Sequence, residues 1–288
     1  MNGINRNDSQ PLTLKQLADY DDIATALTVD PWLGRQTHKM RKFPPNTKLW
    51  PKMKELVRHF RGHSCHDSTL DEFGKLIKQI PDWKNPDLLK TLKENCDPDD
   101  PDTLTEKYLK NERKALAVRF NHTCLTRENV KQLRQHIRKF LDVFKVDSGI
   151  EIVDCDRYSN DTDKYEIGAK IVATRRWNRG EVVHALHGVI ASEKNEDDKN
   201  VIIPGVNDFS VTISTRTKEN QLWLGPAAYI NHDCNANTRL RATGTTKNST
   251  AAYEITRVTE SGEELLINYG NNFFGTGNAN CQCRTCER

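Results

Sequence analysis

The sequence predicts an α+β protein: an N-terminal helical domain over residues 1–147, a β-rich domain of short strands over 148–270, and a cysteine-rich tail over 271–288. Three observations predict it. Apolar residues up to about position 146 recur at spacings of three and four, the period of a helix with one buried face. Beyond Ser148 the apolar runs are short, β-branched or aromatic, and separated by Gly, Asn and Asp turns. Three of the eight cysteines crowd into the last eight positions.

The helical segments are read in order. Leu12 to Val29, Leu49 to Arg61 and Thr69 to Ile80 carry helical spacing, and Thr103 followed by Glu106 is a capping box opening a helix through about Phe120. Val130, Leu133, Ile137, Phe140, Leu141 and Phe144 mark one face of a helix from Thr126 to Val146, with Thr126 as its cap. The proline-punctuated acidic run Asp97 to Asp102 cannot continue a helix and reads as a loop. Strands are expected at Gly149 to Val153, Ala169 to Thr174, Glu181 to Ala191, Phe209 to Ser214, Ala251 to Thr256 and Glu264 to Tyr269. There are no internal repeats.

Composition narrows the function classes. The chain is 36% hydrophobic and 29% charged, and no apolar run approaches the roughly 20 residues a membrane helix requires. The first residues lack the apolar core of an export signal, which predicts a reducing compartment, where a tight cysteine cluster more often binds metal than forms disulfides. A net charge of +3 does not itself imply nucleic acid. Its distribution is more informative: Arg35 to Arg61 holds nine Lys or Arg against Glu55, whereas Glu94 to Glu106 holds six acids and no base. The basic stretch fits either a solvated helix face or a contact with DNA wrapped on histones.

Three constellations carry chemistry. In Cys281-Gln282-Cys283-Arg284-Thr285-Cys286, three thiolates are spaced to wrap one soft cation, and a structural zinc site takes four ligands. The fourth is open among Cys65, Cys96, Cys124, Cys155, Cys234 and nine histidines. Second is Leu224 to Cys234, an apolar segment ending in Asn231-His232-Asp233-Cys234; third is Gly262 to Gly270, a turn and strand ending at Tyr269. Taken singly, the second reads as a capped turn and the third as a core tyrosine.

In this order and spacing the three resemble the SET domain with its post-SET zinc segment. Gly168 to Thr174 and Asn178 to Val183 resemble that domain's opening strands. Asn207 to Val211, Gln221 to Ala228, Phe273-Phe274-Gly275 and Cys286-Glu287-Arg288, with Asp30 to Gly34 and Gln36 to Met40, resemble the family that methylates lysine 20 of histone H4 to its higher states. The resemblance implies an S-adenosylmethionine-dependent protein-lysine methyltransferase of chromatin in the nucleus, acting on the H4 tail in nucleosomes to the di- or trimethyl state. It implies Tyr269 as the catalytic tyrosine, and cofactor contacts from Asn231, His232, Arg157, Tyr158, Ser159, Asn160, Gly168, Phe274 and His38. It also implies structural zinc on Cys234, Cys281, Cys283 and Cys286, pinning the tail with Phe273 and Phe274, and a lysine channel lined by Ser210, Trp223, Asn268 and Phe273. Asn268 stands where the family usually has a second aromatic, which bears on the number of methyls accommodated. Two alternatives share these motifs: methylation of a non-histone lysine, and a silent chromatin-binding module.

Overall fold

A computed structural model describes residues 12–40, 47–77, 127–155, 157, 168–192, 198, 201–204, 206–213, 219–243 and 250–287. Helix α1, Leu14–Leu27, opens on a capping box in which the Thr13 hydroxyl accepts from the Gln16 amide at 3.1 Å and the Gln16 side chain accepts from the Thr13 amide at 3.0 Å. It is buried on most of its circumference because it touches a later helix on one side and the sheet on the other. The predicted helix through Val29 ends early at Thr28, whose hydroxyl turns back to the Ala24 carbonyl, and the chain restarts as α2, Val29–Leu33, closed by Gly34 in the left-handed region (φ 72°). Helix α3, Trp50–His63, buries Met53, Val57 and Phe60. Helix α4, His66–Ile77, begins three residues before the predicted Thr69. Helix α5, Arg127–Val143, buries Val130, Leu133, Ile137, Phe140 and Leu141, the face its spacing predicts. The helix expected from Thr103, its capping box, the acidic run and the Thr126 cap lie outside the described residues.

Strands β1, Ile150–Cys155, and β2, Gly168–Ala173, form an antiparallel pair. Five further strands are β3, Val182–Ser192; β4, Val211–Ile213; β5, Asn220–Leu224; β7, Thr238–Thr243; and β8, Thr250–Ile255. They form one sheet in the order β4-β5-β3-β8-β7. Two-residue strands β6, Asn231–His232, and β9, Leu266–Ile267, pair in parallel. The run expected from Glu264 to Tyr269 shrinks to β9 because the partner offers only two residues to the ladder. Strands β5, β6 and β7 are additional to those the sequence predicts. In β7 the alternation sets Arg239 and Arg241 toward Glu254 of the neighbouring strand at 2.7 and 3.8 Å, so its sequence reads as polar.

One cluster of buried side chains runs from Tyr20, Leu27, Phe60, Phe73 and Phe140 in the helices to Ile150, Ile171, Val183, Leu186 and Ile255 in the strands. The helices therefore cover the sheet over a shared core, which brings α1 and α5 up to the segment Gly225–His232. Among the described residues no helix is long and apolar enough to cross a membrane.

Candidate active site and metal centre

The segment joining β5 to β6 is a sharp corner. Gly225 takes φ 99°, and a Cβ there would stand 2.9 Å from the His187 carbonyl, so glycine alone is accommodated. A single 3-10 turn, Pro226–Tyr229, follows, and Ile230, Asn231 and His232 leave it extended. Two phenols end on carbonyls of this corner. Tyr253 donates to Ala227 O at 3.3 Å, and Tyr269 donates to Ile230 O at 2.6 Å. Burial, with Tyr269 close by, raises the Tyr253 pKa, so that phenol stays protonated.

Tyr269 is tied at both ends. Its backbone N–H donates to His232 Nδ1 at 3.0 Å, and its hydroxyl proton is aimed at Ile230 O. That places the phenol oxygen at a fixed point with an acceptor orientation. The ring is 36% exposed and packs edge-on to Phe273 (4.8 Å between centroids) and parallel to Phe274 (6.3 Å); Phe274 also lies 5.1 Å from the His232 ring. An aromatic cluster left open, with Phe273 46% exposed, suits an apolar stem better than it suits water.

His232 shows its tautomer. Because Nδ1 accepts from Tyr269 N–H, the proton sits on Nε2, which faces Cys234 Sγ at 3.4 Å. Burial lowers the ring's pKa, keeping the imidazole neutral. The histidine therefore links Tyr269 to the sulfur cluster through Cys234.

Around Cys234 the tail sulfurs gather. Cys286 Sγ lies 3.5 Å and Cys281 Sγ 3.9 Å from Cys234 Sγ, and Cys283 Sγ accepts from Cys234 N–H at 3.4 Å. Sulfurs on a tetrahedron of bonds near 2.3 Å stand about 3.8 Å apart, so these distances fit one zinc ion. Ligand atoms of His232, Cys234, Cys281 and Cys283 all fall within 4.8 Å of one another, but a protonated Nε2 has no lone pair to offer. Cys286 is then the better fourth donor. Burial opposes ionisation of Cys283, yet the Cys234 and Cys286 backbone N–H groups aimed at its sulfur bring that thiol down to about 7. Of the scattered candidates, Cys155 is buried in β1 and Cys65 is exposed at the α3–α4 junction; Cys96 and Cys124 lie outside the described residues.

Protein contacts hold the tail as well. Asp233 accepts from the Thr285 hydroxyl at 2.5 Å and from Asn235 N–H at 2.8 Å; although burial opposes it, these bonds keep its carboxyl below the usual range. Arg157, expected at the cofactor, donates to the Gln282 carbonyl at 2.5 Å and to Glu287 at 2.8 Å, bracing the tail. Asn231 likewise turns its amide nitrogen inward, to Glu264 (3.1 Å), Ala169 O (3.3 Å) and Cys155 Sγ (3.6 Å), so any cofactor contact falls to its backbone and Oδ1. Buried Asn237, just before β7, bridges the Glu264 carbonyl and the Leu266 amide, holding the start of β7 against β9.

The remaining predicted residues divide. Ser210 and Trp223 come together, the Trp223 amide donating to the Ser210 carbonyl at 3.0 Å. The Trp223 indole stacks on Tyr253 at 5.9 Å and covers Gly188, where a Cβ would overlap it. Asn268 is exposed, and its side-chain oxygen accepts from the Gly270 amide at 2.7 Å. His38 stacks on Phe209 at 5.2 Å, beside Ser210. Gly168 opens β2 against Cys155, and Tyr158, Ser159 and Asn160 lie outside the described residues. Sequence reasoning missed Asp233, Thr285, Asn237, Glu264 and the Ile230 carbonyl, because each acts across a fold contact; only Asp233, inside the Asn-His-Asp-Cys turn, carries a local signal.

The SET domain family matches residues 168–270. The chain is 33% identical to "Histone-lysine N-methyltransferase Suv4-20" of Caenorhabditis elegans, over 100% of this chain and 84% of that protein. It is 34% identical to the protein of the same name from Caenorhabditis briggsae, over 96% and 72%. With "Histone-lysine N-methyltransferase SET9" of Gibberella zeae it shares 29% identity over 98% of this chain and 36% of the longer relative. On these matches the chain is a SET-domain protein-lysine N-methyltransferase and belongs to the Suv4-20 family.

Proposed function

We propose that this protein transfers methyl groups from S-adenosylmethionine to lysine 20 of histone H4 in nucleosomes, to the di- or trimethyl state, with Tyr269 as the catalytic residue. The observation that carries the reading is the Tyr269 hydroxyl fixed on the Ile230 carbonyl at 2.6 Å, beside His232 and Phe274. The relatives named Suv4-20, alike over nearly the whole chain, support the substrate.

S-adenosylmethionine, when bound, supplies an electrophilic methyl on a sulfonium. The chain's residues supply placement: holding two reactants in near-attack geometry is worth roughly 7–11 kcal/mol. The lysine must arrive neutral, and with a free pKa of about 10.4 its deprotonation at pH 7 costs about 4.6 kcal/mol. The aromatic walls of Tyr269, Phe273 and Phe274 offset part of that cost by desolvating the ammonium. Tyr269 Oη then accepts from the amine and aims its lone pair. Asn231, His232 and Phe274 flank the cofactor, and Ser210 and Trp223 border the channel.

Zinc on Cys234, Cys281, Cys283 and Cys286 is structural, because four thiolates leave no position for water. It holds Phe273 and Phe274 over the site.

A nucleosomal DNA contact through the basic stretch is supported by Lys48 and Lys52, exposed on or just before α3. Part of that charge is engaged internally: Lys39 is buried against Asp30 at 2.8 Å, and Lys54 and Arg61 each stand 5.7 Å from the Trp32 ring.

Incubation with labelled S-adenosylmethionine and recombinant nucleosomes tests the reading. Label is expected in histone H4, and none when lysine 20 of H4 is replaced by arginine. Label confined to other histones would overturn the substrate assignment.

A further inference from the structure

Helix α1 carries three buried acids, Asp19, Asp21 and Asp22. A buried carboxylate is costly unless strong donors surround it, and a leucine would serve a covering helix better. Asp21 shows what that cost secures. Its Oδ1 accepts from Gly225 N–H at 2.8 Å and from His136 Nε2 at 2.9 Å, across 204 and 115 residues of sequence. Gly225 is the first residue of the corner that carries Ile230, Asn231 and His232, and its φ of 99° is open to glycine alone.

The other end of the corner is held from the same side of the molecule. Tyr229 Oη meets Thr37 Oγ1 at 2.9 Å; Thr37 donates to Asp30 at 2.8 Å; and Asp30 pairs with buried Lys39. Burial and the adjacent Asp30 carboxylate raise the Tyr229 pKa, so its phenol stays protonated within this network. The next residue, Ile230, presents the carbonyl that receives the Tyr269 hydroxyl.

We propose that Asp21 is a positioning residue for methyl transfer: through the Gly225 amide it fixes the Gly225–His232 corner, which makes the N-terminal helices part of the catalytic scaffold. The inference rests on reading Asn231-His232 as the cofactor turn. The acid acts at a distance from the reacting atoms, so its loss should register in cofactor affinity and kcat and leave the nucleosome KM in place.

Calorimetry with S-adenosylmethionine and steady-state kinetics on the full chain decide it. Asp21→Leu, which removes the acceptor at similar volume, is expected to weaken cofactor binding about tenfold, as loss of a hydrogen bond to a charged group implies. Asp21→Asn keeps a weaker, neutral acceptor and is expected at about threefold. Phe73→Leu, buried in α4 where that helix packs on α3 and α5, controls for loss of stability and should leave cofactor affinity unchanged. Wild-type affinity and kcat in Asp21→Leu would overturn the proposal, as would an equal loss in Phe73→Leu. Should Asp21→Leu not fold, an Asp21→Asn variant identical to wild type in both quantities overturns it instead. A wild-type chain that binds no S-adenosylmethionine overturns the underlying reading of the turn, and this inference with it.

Discussion

Tyr269→Phe is expected to lower kcat for methyl transfer about 10²-fold or more while leaving cofactor affinity within about threefold of wild type. The ring and its packing against Phe273 and Phe274 survive the change, so the aromatic wall stays. What disappears is one oxygen and the bond that orients it on Ile230 O. Because the backbone N–H of residue 269 still reaches His232 Nδ1, the segment keeps its path, and the loss falls on alignment of the amine. Single-turnover kinetics with labelled cofactor separates this from a binding defect. A variant that retains wild-type turnover would remove Tyr269 from the chemistry.

Removing zinc should have an effect as large by a different route. Structural zinc sites draw roughly 10–16 kcal/mol from the metal in small zinc peptides. Among the described residues the tail's contacts with the rest of the protein include Arg157 to Gln282 and Glu287, Thr285 to Asp233, Asn278 to the Gly270 carbonyl, and the packing of Phe273 and Phe274 on Tyr269 and His232. A chelator is therefore expected to abolish activity and expose the chain after Gly270 to protease, while the shared helix–sheet core stays folded. Cys234→Ser, which deletes the one ligand outside the tail, should reduce zinc from about one ion per chain to well below it. Full occupancy in that variant would take Cys234 out of the site. Should His232→Ala instead empty the site while Cys286→Ser leaves it filled, the ring and not the fourth thiol would be the ligand.

The face of α5 is legible in the amino-acid sequence from Val130, Leu133, Ile137, Phe140 and Leu141, because a helix brings residues three and four apart together. Tyr269, the Asn-His-Asp-Cys turn and the tail cysteines are legible because each motif is local, and their order along the chain identifies the family. Contacts that join distant segments are hidden. Nothing near Asp21 says that its carboxylate meets an amide 204 residues away, and nothing near Arg157 says that it braces Gln282. Strand β7 escapes for a related reason: Arg239 and Arg241 make it look like a loop, and only Glu254 on the adjacent strand explains them. Composition overstates the basic stretch, since it counts Lys39, Lys54 and Arg61 as exposed charge when the fold turns them to Asp30 and Trp32.

Mass spectrometry of nucleosomes reacted with S-adenosylmethionine and this chain bears most directly on the central claim, because it reports the residue and the methyl count together. The expected spectrum shows dimethyl or trimethyl lysine 20 on histone H4, absent with Tyr269→Phe. Unmodified H4 beside methylation elsewhere, or the same H4 product from the Tyr269→Phe variant, would contradict the account.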